Sequence, residues 1–144
     1  MSKLEEISLK TLVKLLRASD SVSEDVHKHL KDYGLTVSQF GVLEALYHLG
    51  LMSQCDIAKK ILKSEANIVT VIDNLEKRGF VKRVKNENDR RYINIMLTDK
   101  GKTLIEIIFP QHKKIVAERF SCLSEEEILL LGDLCRKLGK NMPK

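Results

Sequence analysis

Two adjacent guanidinium groups, Arg90 and Arg91, follow Asp89 in the stretch "KNENDRRYINIMLTDKG", Lys85 to Gly101. A loop that only joins two strands needs turn chemistry, and this one adds a pair of always-charged, planar donors suited to anions. Around them Lys82, Arg83, Lys85, Lys100 and Lys102 are opposed only by Glu87, Asp89 and Asp99. Lysines along such a hairpin can neutralise phosphates, and an arginine beside its turn can enter a narrow minor groove. The plainer reading is a solvated hairpin whose charge keeps a sheet edge from pairing with other chains.

A second group of residues lies just upstream. If "EANIVTVIDNLEKRG" is a helix that buries Ile68, Ile72 and Leu75, then Asn67, Thr70, Val71, Asn74 and Arg78 fall mostly on its other side. Asn pairs bidentately with adenine, Thr hydrogen-bonds or touches a thymine methyl, and Val offers apolar contact, which is the chemistry of major-groove readout. The same residue types populate ordinary solvated helices.

These side chains need elements to hold them. From Leu4 to Leu30, apolar residues recur at steps of three and four and trace a helical stripe that Gly34 ends. "TVSQFGVLEALYHLG" opens on a capping box of Thr36 and Gln39 and closes at Gly50. Ser53 can cap "QCDIAKKIL", Ser64 can cap the helix that follows, and Gly79 terminates it. Two capped helices on so short a connection form a helix-turn-helix. "FVKRVK" and "YINIML" then alternate as half-buried strands around an Asn-, Asp- and Glu-bearing turn, which adds a wing. Thr98 can cap a long helix through "DKGKTLIEIIFPQHKKIVAERF", which Pro110 is expected to kink or break. Ser124 and Glu127 form a second capping box before Ile128, Leu131, Leu134, Cys135 and Leu138.

The chain has 144 residues, 43% hydrophobic and 31% charged, with a formal net charge of +5 and no Trp. Those values suit one mainly helical domain, a winged helix-turn-helix with a small β-hairpin (α+β), and are compatible with a polyanionic partner. No repeat or low-complexity linker interrupts it. An acidic N-terminal stretch and the lack of a long apolar run speak against export or membrane insertion, so a cytoplasmic location with no membrane partner is expected. Cys55, Cys122 and Cys135 are odd in number and lack CxxC spacing, which makes a disulfide framework improbable. No phosphate loop, HExxH, GxSxG or scaffolded carboxylate pair is present, so an enzyme is not expected.

The segments "LTVSQFGVLEAL", "DIAKKIL", "VIDNLEKRGFVKR" and "NDRRYINIMLTDKG" together resemble the MarR family of bacterial transcriptional regulators, over about Leu35 to Gly101. The resemblance implies a homodimer that binds a pseudopalindromic double-stranded DNA operator and represses transcription until an effector releases it. Residues 36–101 would be the DNA-binding part, and residues 1–34 and 102–144 the helical dimerisation part of one domain spanning 1–144. The family's wing Asp falls on Asp89, holding the minor-groove Arg at Arg91, with Arg90 beside it. Base-reading positions fall near Ser64, Asn67, Thr70 and Val71. A dimer also accounts for the stripe from Leu4 to Leu30 and for "ILLLGDLCRKL", which carry more apolar surface than one small winged helix covers.

Members of the family sense phenolic compounds, oxidants or metals. A cleft between the dimerisation helices and the winged helix, lined by Arg17, Phe40, Leu43, Tyr47 and Phe109, would suit a small phenolic or aromatic acid. The N-terminal region and "IIFPQHKKI" are weakly similar to the quinone-responsive branch. No Cys precedes Cys55, unlike the thiol-oxidation branch. Cys135 is expected to be a buried structural thiol and Cys122 an exposed one at a turn. His27 and His29 should point to different sides of a helix, and His112 has no second His four residues away, so no metal or other cofactor is expected. The competing readings are a winged helix used only for protein contacts, with its basic wing on an acidic partner, and a metal-responsive regulator.

Overall fold

Hydrogen bonds between near neighbours start most of the α-helices. In the computed structural model, which describes residues 1–61 and 65–139, Ser2 and Glu5 form a capping box at the head of α1 (Lys3–His27). Thr36 and Gln39 do the same for α2 (Val37–Leu49). The Ser53 hydroxyl accepts the Asp56 N–H at 3.1 Å at the start of α3 (Gln54–Lys60). α4 spans Glu65–Lys77 and ends at Gly79, whose φ of 81° is the left-handed conformation that glycine adopts without strain. Ser124 and Glu127 exchange side-chain to backbone bonds of 2.9 and 3.2 Å ahead of α6 (Glu125–Gly139). Each bond satisfies an N–H that the first helical turn otherwise leaves free.

The helical stripe at the N-terminus is shorter than its periodicity implies. α1 gives way at His27 to a 3₁₀ segment, Lys28–Tyr33, and the chain turns at Gly34 with φ of 63°. β2 (Val81–Lys85) and β3 (Ile93–Leu97) form the expected antiparallel hairpin, with Arg83 opposite Ile95. A two-residue strand, β1 (Met52–Ser53), pairs with the other side of β3 and makes a three-stranded sheet in the order β1-β3-β2. Two residues carry no alternation, which is why β1 is invisible in the sequence pattern.

α5 (Asp99–Phe120) runs through Pro110 without a break, so of the two outcomes expected there, a kink or a break, the break does not occur. Pro110 lies on the exposed side of the helix, so the carbonyl it deprives of a partner faces water, while Ile105 and Ile108 are fully buried on the other side and hold the helix in place. The "LTDKG" segment at its start has a physical basis. Thr98 Oγ1 accepts the Gly101 N–H at 3.1 Å and donates to the Gly79 carbonyl, and a Cβ at position 101 would run into the Phe80 backbone carbonyl. Thr98 and Gly101 together dock the head of α5 onto the turn after α4.

One core joins α2, α3, α4, the sheet and α5, with Val42, Leu43, Ile57, Ile68, Ile72, Leu75, Ile95, Ile105 and Ile108 wholly buried. The architecture is mainly α with a small antiparallel sheet, a winged helix-turn-helix flanked by long helices. Away from that core, Leu4, Ile7, Leu12 and Leu16 on α1 and Leu129, Leu130, Leu134 and Leu138 on α6 are exposed in the single chain. Among the described residues no helix is long and apolar enough to cross a membrane.

Candidate nucleic-acid interface

The outer face of α4 is built by what the inner face buries. Ile68, Ile72 and Leu75 have no exposed surface, and Asn67, Thr70 and Asn74, at steps of three and four, are exposed. Val69 is also exposed, but it lies on a different side of the helix, toward the wing. Val71 does not belong there: it is half-buried and packs against the core, because its angle around the helix falls beside Leu75 and Ile68. Ser64 lies outside the described residues.

The wing tip is shaped by its own side chains. Asn86 Oδ1 accepts the backbone N–H groups of Asn88 and Asp89 at 3.0 and 3.1 Å, a side-chain mimic of a turn. Asp89 then binds Arg91 at three points: the Arg91 backbone N–H and Nε donate to Oδ1 at 3.0 Å each, and Nη2 donates to Oδ2 at 2.8 Å. The carboxyl of Asp89 is held below its usual range by the side-chain hydrogen bond from Arg91, and the guanidinium of Arg91 is held correspondingly more basic. The Arg91 side chain is 84% exposed, so the bond aims it without covering it. Arg90 and Lys85 are exposed beside it. Arg91 and Tyr92 of the wing line one cleft with Gln54 and Cys55 of α3 and Ile68 and Val69 of α4, which brings wing and α4 together.

Two cations of the basic cluster, and Arg78 of the α4 face, are bonded within the chain. Arg83 sits on the sheet face toward α4 and pairs with Asp73 at 2.6 Å and Glu76 at 2.8 Å. Lys100 Nζ donates to the Arg78 carbonyl at 2.8 Å. Arg78 itself, expected on the outward face, donates from Nη1 to the Gly34 carbonyl at 2.7 Å and from Nη2 to the Tyr33 carbonyl at 3.1 Å. Lysines and arginines near a helix end satisfy carbonyls as readily as phosphates, and the sequence does not reveal which partner is in reach.

The expected effector residues do not form one cleft. Phe40 and Leu43 belong to the core, since α2 is central and buries most of its circumference. Arg17 is exposed on α1 and lines neither the wing cleft nor the α2–α5 cleft. Tyr47 and Phe109 do meet, with ring centroids 6.1 Å apart, in a cleft with His48, Lys102 and Lys113, and Lys113 Nζ lies 5.5 Å from the Phe109 ring.

The histidines converge, against expectation. His29 Nε2 is 3.0 Å from His112 Nδ1, and the His27 and His112 rings are stacked with centroids 6.0 Å apart. The 100° helical spacing does not apply because the chain changes from α to 3₁₀ at His27. Burial, then the neighbouring imidazoles, lowers the pKa of both His29 and His112. Among the described residues no group of three or more His, Cys, Asp or Glu could hold a metal ion. Cys122 is exposed as expected, and Cys135 is half-buried in the single chain.

A helix-turn-helix with a basic wing defines a winged-helix protein of the DNA-binding kind. A sequence model of the MarR family matches residues 35–93. The chain is 36% identical over 138 residues to the HTH-type transcriptional regulator MhqR of Bacillus subtilis, covering 96% of this chain and 95% of the relative. It belongs to the MarR family. Bordetella bronchiseptica BpsR, whose DNA binding is regulated by 6-hydroxynicotinic acid, superposes with a TM-score of 0.80 at 28% identity over 91% of this chain and 99% of that one. MepR in the S. aureus MepR–DNA complex superposes with a TM-score of 0.76 at 25% identity, over 90% and 94%.

Proposed function

We propose that the protein is a homodimeric repressor that binds a pseudopalindromic operator and releases it on binding a small aromatic effector. The observation that carries the DNA reading is the pairing of an outward polar helix face, Asn67, Thr70 and Asn74, with a wing whose Arg91 is exposed yet aimed by Asp89. The helix would enter the major groove, with Arg91 in the adjacent minor groove and Lys85 and Arg90 at phosphates. Residues 36–101 then read DNA, and residues 1–34 and 102–144 bring two copies together over the exposed leucines of α1 and α6. MepR, a DNA-bound relative, supports this reading.

For the effector, the cleft of Tyr47, His48 and Phe109 with Lys102 and Lys113 offers aromatic walls and cations, which suits an aromatic acid. BpsR supports the class, being regulated by a hydroxylated aromatic acid. Lys102 and Lys113 replace Arg17 as the cations of this site.

The test is selection of bound duplexes from a random library with wild-type protein and with Arg91→Ala, at a fixed salt concentration. A pseudopalindromic site that the variant binds weakly is the expected result. Sequence-indifferent binding, or none, would overturn the repressor reading. Titration of the selected operator complex with hydroxybenzoates, repeated with Phe109→Ala, tests the cleft: release by micromolar to millimolar ligand should be lost in the variant.

A further inference from the structure

Arg78 follows the last turn of α4, the helix that presents Asn67, Thr70 and Asn74. Its guanidinium crosses to a segment 44 and 45 residues earlier and donates to two consecutive carbonyls, those of Gly34 and Tyr33. One planar fork on two acceptors constrains angle as well as distance, which a single ammonium cannot do. The group is braced from the side, lying 4.9 Å from the centroid of the buried Phe80 ring, while Lys100 Nζ lies 5.0 Å from the same ring and bonds the Arg78 carbonyl. The segment it grips is the joint between two parts of the molecule. Tyr33 ends the 3₁₀ segment that continues α1, and Gly34, with its left-handed φ, turns the chain into α2.

We propose that Arg78 is a positioning residue that fixes the recognition helix α4 to the end of the α1 arm, and so sets the operator half-site spacing the protein accepts. The proposal rests on the reading of the protein as a dimeric operator-binding regulator. In such a dimer the two α4 helices are separated by a path that runs from the paired α1 arms through the 3₁₀ segment into each winged helix. The core holds the middle of α4 through Ile68, Ile72 and Leu75, and Arg78 ties its C-terminal end to that path. Half-sites on B-DNA lie one helical turn apart, about 34–36 Å, and a one-base-pair change both shifts and rotates one of them. A rigid arm penalises that change and a loose one tolerates it.

The experiment uses full-length protein and the operator selected above, together with duplexes whose half-sites are moved one base pair apart or together. Binding is measured over a series of NaCl concentrations for wild type, Arg78→Ala, Arg78→Lys and Arg91→Ala. For wild type the altered spacings should bind at least about tenfold more weakly, as rigid two-fold readers require. Both Arg78 variants should bind the native operator more weakly yet discriminate spacing by less than about threefold, with the salt slope unchanged. Arg91→Ala should keep the spacing preference and lower the slope, because it removes a cation from the DNA interface. Arg78→Lys retains the charge, so it remains informative if Arg78→Ala does not fold. A slope lowered by about 0.9 in either Arg78 variant would make Arg78 a phosphate contact and overturn the proposal, as would an undiminished spacing preference. If the wild type selects no operator, the DNA-binding reading itself falls and takes this one with it. If it selects one and the Arg78 variants discriminate spacing as it does, only this inference fails.

Discussion

Asp89 and Arg91 are joined by three hydrogen bonds across two residues of chain, so the guanidinium at the wing tip is aimed before any partner arrives. Pre-orientation removes part of the ordering that binding would otherwise require. Asp89→Asn should therefore weaken operator binding while leaving the salt slope near that of wild type, because no cation is lost. Fluorescence anisotropy over a NaCl series checks this, and a wild-type affinity in Asp89→Asn would show that Arg91 needs no guide.

The stability of α4 comes from its inner face and not from the face proposed to read DNA. Ile72 is wholly buried, and Ile72→Ala should cost about 2–5 kcal/mol by removing core contacts and leaving a cavity. Thr70→Ala, on the exposed face, should stay within about 0.5 kcal/mol of wild type. Urea denaturation of both variants separates the two roles.

Gly101 is required for closeness. Because a Cβ there would meet the Phe80 carbonyl, Gly101→Ala must push the head of α5 off the turn after α4, at a cost of about 1–3 kcal/mol. Gly132 has open space around its α-carbon, and Gly132→Ala should not destabilise the chain. Thermal midpoints of the two variants make the comparison.

The leucines of α1 and α6 that lack cover in one chain should be covered in two. Leu12→Glu combined with Leu134→Glu should shift the protein to a monomer in sedimentation equilibrium and weaken operator binding by the loss of paired half-sites. A variant that remains dimeric would place the contact elsewhere.

His29 and His112 should make the fold weaken in acid. Their pKa values are lowered in the folded chain, chiefly by burial, so below about pH 6.5 the unfolded chain binds more protons than the folded one. Their contribution is present above the ordinary histidine range and lost as pH falls toward the lowered values. His27 adds to the effect on both rings, and Asp32 opposes it at His29. Thermal midpoints measured from pH 7.5 to 5.0 should decline, and the decline should be shallower in His112→Gln. An equal decline in that variant would assign the acid sensitivity to other groups.

What was legible in the residues alone is what short-range chemistry decides. The capping pairs Thr36 with Gln39 and Ser124 with Glu127, the stop at Gly79 and the alternation of β2 and β3 all involve partners within a few positions of each other, so their spacing is written in the chain, while the equally local Asp89–Arg91 pair is implied by the family resemblance. The remaining features depend on partners brought together only by folding. Arg78 finds its carbonyls 44 and 45 residues away, and His29 meets His112 across 83. Arg83 is drawn to Asp73 and Glu76 by the angle at which β2 crosses α4, and Pro110 is tolerated because the buried side of α5 outweighs one hydrogen bond lost to water. A charge or a ring in a sequence states which bonds it can make. Which bond it makes depends on the partner that packing places within about 3 Å of it.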